Sequence, residues 1–404
     1  MIQRFPHLLL SHSFLFFISI STLISCSSLV LADDNQPILL IYASGGYLEE
    51  KGNFISENFQ AILQGSEDLQ LLIAYGGTEQ WEGIRYMTRD MLFDDSKNKI
   101  FGDHTKTLYI DETANMGDPK TLSTFLRYAR TLYPDDRLWL LFIGHADAYE
   151  GVLLDENHAN DMLSTSELGT ALTEGGTNLE LIGFDACFMA TLEMATEIDG
   201  HAIWMIASQE TEPAIGWDYA TWFSSLSSSE GRELPGAAFP LFQTHMNQSE
   251  PGKTLSLIKL DEAASAAHSL GKLGRALTIL LQTPDGTQLI EAALLDTQHF
   301  GLTDTMELVP VTLDILSFME SIEKTVPYLS SIVQETKAAA DNMIILSRHD
   351  AVVPDAHGIS LISPLLMTPE IYEIYAKQNP IHRDWSLFLR SYAEHHPALP
   401  LYEI

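Results

Sequence analysis

The sequence predicts an α/β fold, a mostly parallel sheet flanked by helices, followed by a helix-rich C-terminal region. Three observations carry this. Continuous apolar runs of strand length recur along the first half, as in strands buried on both faces. Several of them close on glycine or a polar turn, and helix-period segments lie between them.

The elements follow in order. Residues 1–7 carry one Arg and no acid, and residues 8–24 are largely apolar. That is the pattern of a secretory signal, so residues 1–32 are read as a leader. It offers two cleavage readings: a lipobox, Leu23-Ile24-Ser25-Cys26, leaving a lipidated Cys26, or an ordinary site at Val30-Leu31-Ala32. The apolar stretch is short and interrupted by Ser, which argues against a membrane span. The expected location is exported: periplasmic, envelope lipoprotein or secreted. A lipid anchor at Cys26 is the one membrane attachment foreseen.

Residues 37–42 form the first apolar run, ended by Ser44-Gly45-Gly46, and residues 69–75 the second, closed by Gly76-Gly77. Asp118-Pro119 opens a helix through Leu122, Phe125, Leu126, Ala129 and Leu132, with Asp as N-cap and Pro in the first turn. Residues 138–143 are a third strand, 164–172 a short helix, 179–184 a fourth strand and 203–207 a fifth. Beyond residue 229 the rhythm changes. Residues 255–280 and 313–340 read as mainly helical, 358–362 as one more strand, and 372–392 as helical. The organisation expected is a catalytic α/β domain over 33–230 and a helix-rich region over 231–404 packed on it.

The 404 residues are 46% hydrophobic and 19% charged, a globular composition. With 22 Lys and Arg against 55 Asp and Glu, the formal charge is −33. Such a surface disfavours nucleic acid and anionic lipid as partners and favours cationic ones.

Only Cys26 and Cys187 occur, so the body of the chain holds a single thiol and no internal disulfide. A lone Cys is commonly a small buried hydrophobe, but its position here points to chemistry. Cys187 falls just past the end of the fourth strand, and His145 just past the end of the third. Catalytic groups of open α/β sheets gather at those carboxyl edges. The pattern Met189, Leu192, Glu193, Ala195 also reads as a helix opening at Cys187, whose positive end would lower the thiol pKa. His145 would serve as base, and backbone N–H groups near Cys187 and at Ala146 would stabilise an oxyanion.

Longer motifs sharpen this. Residues 184–193, Phe184-Asp185-Ala186-Cys187-Phe188-Met189-Ala190-Thr191-Leu192-Glu193, resemble the nucleophile segment of the clostripain family of caspase-fold peptidases. Ala207-Ser208-Gln209-Glu210-Thr211-Glu212-Pro213, continuing to Gly216-Trp217-Asp218-Tyr219, is similar to a loop walling that family's substrate site. Asn115-Met116-Gly117-Asp118-Pro119, His357-Gly358-Ile359-Ser360 and residues 385–392 also match, so the resemblance spans nearly the whole body.

The resemblance implies a caspase-like fold, Cys187 as nucleophile, His145 as base, and Asp185 as the acid that attracts a substrate Arg or Lys. A structural, capping Asp185 is the alternative. Asp218 is a second, more structural candidate for that pocket, His357 is expected to be structural, and Ser208 and Gln209 are expected to present backbone to a peptide. Two departures stand out. His145 is followed by Ala146-Asp147-Ala148 where the family usually has Gly. No Lys or Arg lies between Arg137 and Arg232, so self-cleavage after a basic residue there is excluded and an intact chain is expected, with the loop 155–161 as the exposed alternative.

No metal or other cofactor is expected. Some family members need calcium, but no oxygen-ligand loop of defined spacing is visible. The leading reading is a monomeric exported endopeptidase acting on peptide or protein substrates after Arg or Lys. The alternatives are Asn or Asp selectivity, and an inactive peptide-binding relative.

Overall fold

In the computed structural model the described residues are 36–94, 99–100, 107–227, 233–301, 310–378 and 381–395. The leader, with both cleavage readings and Cys26, lies outside them. Nine strands form one sheet: β1 Ile38–Ser44, β2 Leu71–Thr78, β3 Trp81–Thr88, β4 Tyr109–Asp111, β5 Leu138–Ile143, β6 Leu179–Asp185, β7 Ala202–Ala207, β8 Thr254–Lys259 and β9 Ile344–His349. Their order is β9-β8-β7-β6-β5-β1-β2-β3-β4. The central run β2-β1-β5-β6-β7 is parallel. The flanking strands β3, β4, β8 and β9 pair antiparallel.

Side chains alternate across this sheet, as strand geometry requires. Leu40, Tyr42, Leu140, Phe142, Ile182 and Phe184 face one apolar core, together with helices Pro119–Leu132, Thr165–Gly175, Ala263–Leu280 and Arg383–His395. Leu39, Ile41, Trp139, Leu141, Ile143 and Leu181 face the other, against Phe54–Gly65, Tyr219–Leu226 and Phe239–Met246. Burial on both faces is why β1, β5 and β6 read as unbroken apolar runs. The helix start signals also act as expected: the Asp118 side chain accepts from Lys120 N–H at 2.8 Å, and Ser164 with Glu167 forms a capping box.

Two differences concern the C-terminal half. The segment 255–280 is not helical throughout: β8 occupies its start, and the helix begins at Ala263. Leu255 and Leu257 alternate with Thr254 and Ser256, a period-2 pattern too short to stand out beside the long helix. The segment 313–340 opens on a strand, Thr312–Asp314, and its helix is split at Pro327 into Ile315–Thr325 and Ser330–Asp341. Proline lacks the N–H that would continue the helix. Residues beyond 230 thus supply helices and also two strands of the same sheet.

Candidate active site

Register brings the two expected reactive residues together. Asp185 on β6 pairs with Ile143 on β5. His145 and Cys187 therefore each lie two residues beyond an aligned pair, at the carboxyl ends of parallel strands about 4.8 Å apart. The Gly144 N–H donates to the Asp185 carbonyl at 3.3 Å and ties the two strand ends. Gly144 holds φ of +152°, and a Cβ there would sit 2.9 Å from the Ser44 carbonyl oxygen, so the turn into His145 requires glycine.

The departure at Ala146, where the family usually has Gly, brings no left-handed backbone with it. The unusual backbone angle falls on Gly144, while Ala146 lies in a short strand, Ala146–Asp147, paired with Gly151–Asp155.

Cys187 does not open a helix. Phe188 takes φ of +61°, and the helix begins at Leu192, capped by Thr191 accepting from Met194 N–H. The turn instead sutures two loops: Phe188 N–H donates to Glu210 O at 3.2 Å and Ala190 N–H to Ser208 O at 2.8 Å. The expected lowering of the thiol pKa by a helix end is likewise absent. Burial pushes the Cys187 thiol up to about 12. The Glu212 N–H opposes this, and the carboxylates of Glu212, Glu210 and Asp185 add to it. That N–H donates to Cys187 Sγ at 3.4 Å. Burial, with Lys51 nearby, holds the His145 imidazole below its ordinary value. Both shifts favour the uncharged forms, thiol and neutral imidazole.

His145, Cys187 and Asp185 line one cavity of about 250 Å³ with Ile143, Asn58 and the 211–216 loop. Within the His145 ring, Nε2 is buried without a hydrogen-bond partner. The Tyr47 ring packs edge-on against the imidazole at 6.2 Å, and the Lys51 ammonium lies over Tyr47. Both come from helix Gly46–Gly52, which follows β1.

Asp185 is buried at the base of this cavity. Its Oδ2 accepts from Trp217 N–H at 3.0 Å and from Tyr219 O–H at 2.7 Å. Burial raises its carboxyl to about 6 despite those two donors. Gly216, at φ of +68°, leaves the room: a Cβ would stand 2.6 Å from Asp185 Oδ2 and 2.8 Å from the Asn58 amide.

The remaining sequence candidates are elsewhere. Asp218 caps helix Tyr219–Leu226 by accepting from Thr221 N–H at 3.0 Å, and it does not line the cavity. Ser208 and Gln209 are fully buried behind the wall. The Ser208 hydroxyl pairs with Thr254 Oγ1, and the Gln209 amide bonds Asp314, Ser360 and the Gly358 N–H. The Ser208 carbonyl and the Gln209 N–H are taken by Ala190 and Thr254, so this stretch braces the loop rather than facing a peptide. His357 Nδ1 donates to Asp314 Oδ1, 2.9 Å away, in the same bracing network. Sequence reasoning passed over Glu212, Tyr47 and Lys51. Glu212 lay within the 207–213 loop that resembles the family's substrate wall but was not singled out there, and Tyr47 and Lys51 belonged to no motif. Among the described residues no group of three or more His, Cys, Asp or Glu side chains is arranged to hold a metal ion.

Comparison with known proteins adds the decisive observation: residues 45–389 match the clostripain family. The chain belongs to that family.

Clostripain from Hathewaya histolytica is 32% identical over 115 residues, 25% of this chain and 21% of clostripain, so the match spans about a fifth of that protein. Two solved structures share the clostripain-family fold over most of this chain. An inactive zymogen C11 protease from Parabacteroides distasonis has TM-score 0.64 and 19% identity, covering 88% of this chain and 98% of its own. A secreted C11 cysteine protease from Bacteroides thetaiotaomicron, in complex with an irreversible peptide inhibitor, has TM-score 0.61 and 15% identity, covering 88% and 99%. The caspase-like α/β expectation agrees with that architecture.

Proposed function

We propose that this clostripain-family chain is an exported cysteine endopeptidase that cleaves after Arg or Lys, with Cys187 as nucleophile and His145 as base. The observation that carries the reading is the register at the sheet edge: His145 and Cys187 stand two residues beyond a paired Ile143 and Asp185, in one cavity with a buried carboxylate.

The chemistry follows from those positions. A cationic side chain enters the cavity, where Asp185 attracts it by charge-assisted hydrogen bonding. His145, neutral and with Nε2 uncommitted, takes the thiol proton as Sγ attacks the carbonyl of the residue so held. The C–N bond then breaks, the imidazolium returns the proton to the leaving amine, and an acyl thioester remains. Water, deprotonated by His145, hydrolyses the thioester and restores the thiol. Burial favours the protonated thiol, so the reaction needs His145 to take that proton.

Export rests on the leader pattern of residues 1–32. No helix among the described residues is long and apolar enough to cross a membrane.

The test is hydrolysis of fluorogenic peptides that differ only before the scissile bond, carrying Arg, Lys, Asn or Asp, with Cys187→Ala as control. Turnover confined to Arg and Lys peptides and lost in the variant supports the reading. Turnover of Asn or Asp peptides overturns the selectivity, and no turnover of any peptide points to a binding protein on a peptidase fold.

A further inference from the structure

The turn that carries Cys187 belongs to no regular element. It leaves β6 after Asp185, passes through Phe188 in the left-handed region, and enters a helix only at Leu192. It is held from outside. Phe188 N–H and Ala190 N–H donate to the Glu210 and Ser208 carbonyls, and the Ala190 carbonyl accepts from Ser360 N–H at 2.8 Å. The Glu212 N–H reaches Sγ itself. Apart from the Ser360 bond, these contacts all come from residues 208–212, so the place of the thiol depends on what fixes that stretch.

Gln209 lies between the two carbonyls and is fully buried. Its Nε2 donates to Asp314 Oδ2 and to Ser360 Oγ, both at 2.9 Å, and its Oε1 accepts from Gly358 N–H at 2.7 Å. Both amide hydrogens are thereby used. A flipped amide would set its oxygen against a carboxylate and its nitrogen against an N–H, so one orientation is enforced. The two acceptors are neighbours because strand Thr312–Asp314 pairs antiparallel with Ser360–Ile362, in a register that puts Asp314 opposite Ser360. Asp314 is buried and firmly held: Oδ1 also accepts from Ser317 N–H at 2.8 Å and from His357 Nδ1, and Oδ2 from His357 N–H at 2.7 Å. The C-terminal region thus offers a fixed point 105 residues along the chain from Gln209.

We propose that Gln209 is a positioning residue for the nucleophile: through its amide, the Asp314–Ser360 pair of the C-terminal region sets the stretch that presents Cys187 Sγ to the substrate carbonyl. The inference rests on the peptidase reading above. Freed from its anchor, residue 209 carries the Ser208 and Glu210 carbonyls and the Glu212 N–H with it, and the thiol shifts with them. A misplacement of about 1 Å lowers a rate on the order of 10²-fold. Asp185 takes its donors from Trp217 and Tyr219, beyond that stretch, so the cavity that receives the substrate side chain stays as it is. The loss therefore falls on the chemical step and spares binding.

The experiment compares the wild-type enzyme with Gln209→Met, which keeps the length and removes all three side-chain bonds, and with Gln209→Glu. Turnover of an Arg peptide is measured per active site, titrated with a peptidyl ketone bearing a leaving group, well below each variant's melting temperature. Gln209→Met lowers kcat about 10- to 100-fold and changes KM by less than about twofold. The ketone's inactivation rate constant falls likewise, while its KI stays. Gln209→Glu keeps the acceptor for Gly358 and, when protonated, a donor for Asp314. Ionised, it sets a second negative charge against Asp314. Its kcat relative to wild type is therefore highest at low pH and falls as pH rises, the ratio cancelling the titration of groups common to both. If Gln209→Met fails to fold, Ser360→Ala removes one acceptor and leaves the backbone bonds; it lowers kcat about fivefold at unchanged KM. A melting temperature that falls while kcat per active site stays at the wild-type value would make the residue a stabilising one only and overturn the inference. A loss confined to KM, or a Gln209→Glu ratio indifferent to pH, would do the same, and each leaves the peptidase reading standing. A wild-type protein that turns over no peptide and takes no label refutes that reading and this inference with it.

Discussion

Cys187, His145 and Asp185 were legible because each sits within two residues of the end of an apolar run, where α/β sheets expose their chemistry. Glu212 was not singled out within its loop, since its approach to Cys187 depends on that loop folding back across the thiol, a long-range event. Cys187→Ala is expected to reduce Arg-peptide turnover by more than about 10³-fold with no loss of thermal stability, as nucleophile removal does elsewhere. Steady-state kinetics with a melting curve check both parts. Asp185→Asn should lower kcat/KM for Arg peptides about 10- to 100-fold and leave a neutral peptide nearly unaffected. The pH dependence follows from the same residue. Burial raises the Asp185 carboxyl to about 6, so below that pH it is protonated and no longer attracts a cation. The kcat/KM for Arg peptides falls as pH drops through about 6, and a neutral peptide lacks that limb. A matching limb for both peptides would assign the titration to another group.

At the scale of elements, the strands buried on both faces and the capped helices were readable, and the antiparallel flanks were not. Trp81–Thr88 and Ile344–His349 carry Arg, Glu or His among their apolar residues and are partly exposed, so neither reads as a continuous run. The segment after Cys187 misled for another reason: its helical spacing is genuine from Leu192, but Phe188 in the left-handed region breaks the helix before it reaches the thiol. That helix, Leu192–Ile198, carries a buried Glu193 whose Oε1 accepts from Ile362 N–H at 3.3 Å and Tyr375 O–H at 3.4 Å, pinning it to the C-terminal region. Burial raises this carboxyl to about 7, above its unfolded value near ~4.3. The folded state therefore favours the proton. Its contribution is complete below the unfolded pKa and is lost as pH rises through about 7. Relative to Glu193→Gln, the wild-type melting temperature is expected to decline between pH 5 and pH 8. A constant difference across that range would remove Glu193 from the account.

Across the whole molecule, the two cores lie on opposite faces of one sheet whose strands come from both halves of the sequence. A boundary near residue 230 follows the change in sequence rhythm, while β8 and β9 extend the sheet beyond it. The absence of Lys and Arg between Arg137 and Arg232 leaves no site there for self-cleavage after a basic residue, so under the proposed selectivity the His145 and Cys187 strands stay on one chain. Prolonged incubation of purified wild-type protein is expected to leave that segment intact by mass spectrometry, with activity constant throughout. Activation that tracks a cut between His145 and Cys187 would contradict this. The measurement that bears most directly on the central claim is covalent capture. Peptidyl ketones bearing a leaving group and differing only in Arg or citrulline at the first position are incubated with the protein, and the adduct is mapped by mass spectrometry. The account predicts one adduct, on Cys187, formed much faster with Arg than with citrulline and suppressed in Asp185→Asn. Equal labelling by both compounds, or no labelling of Cys187, would contradict it.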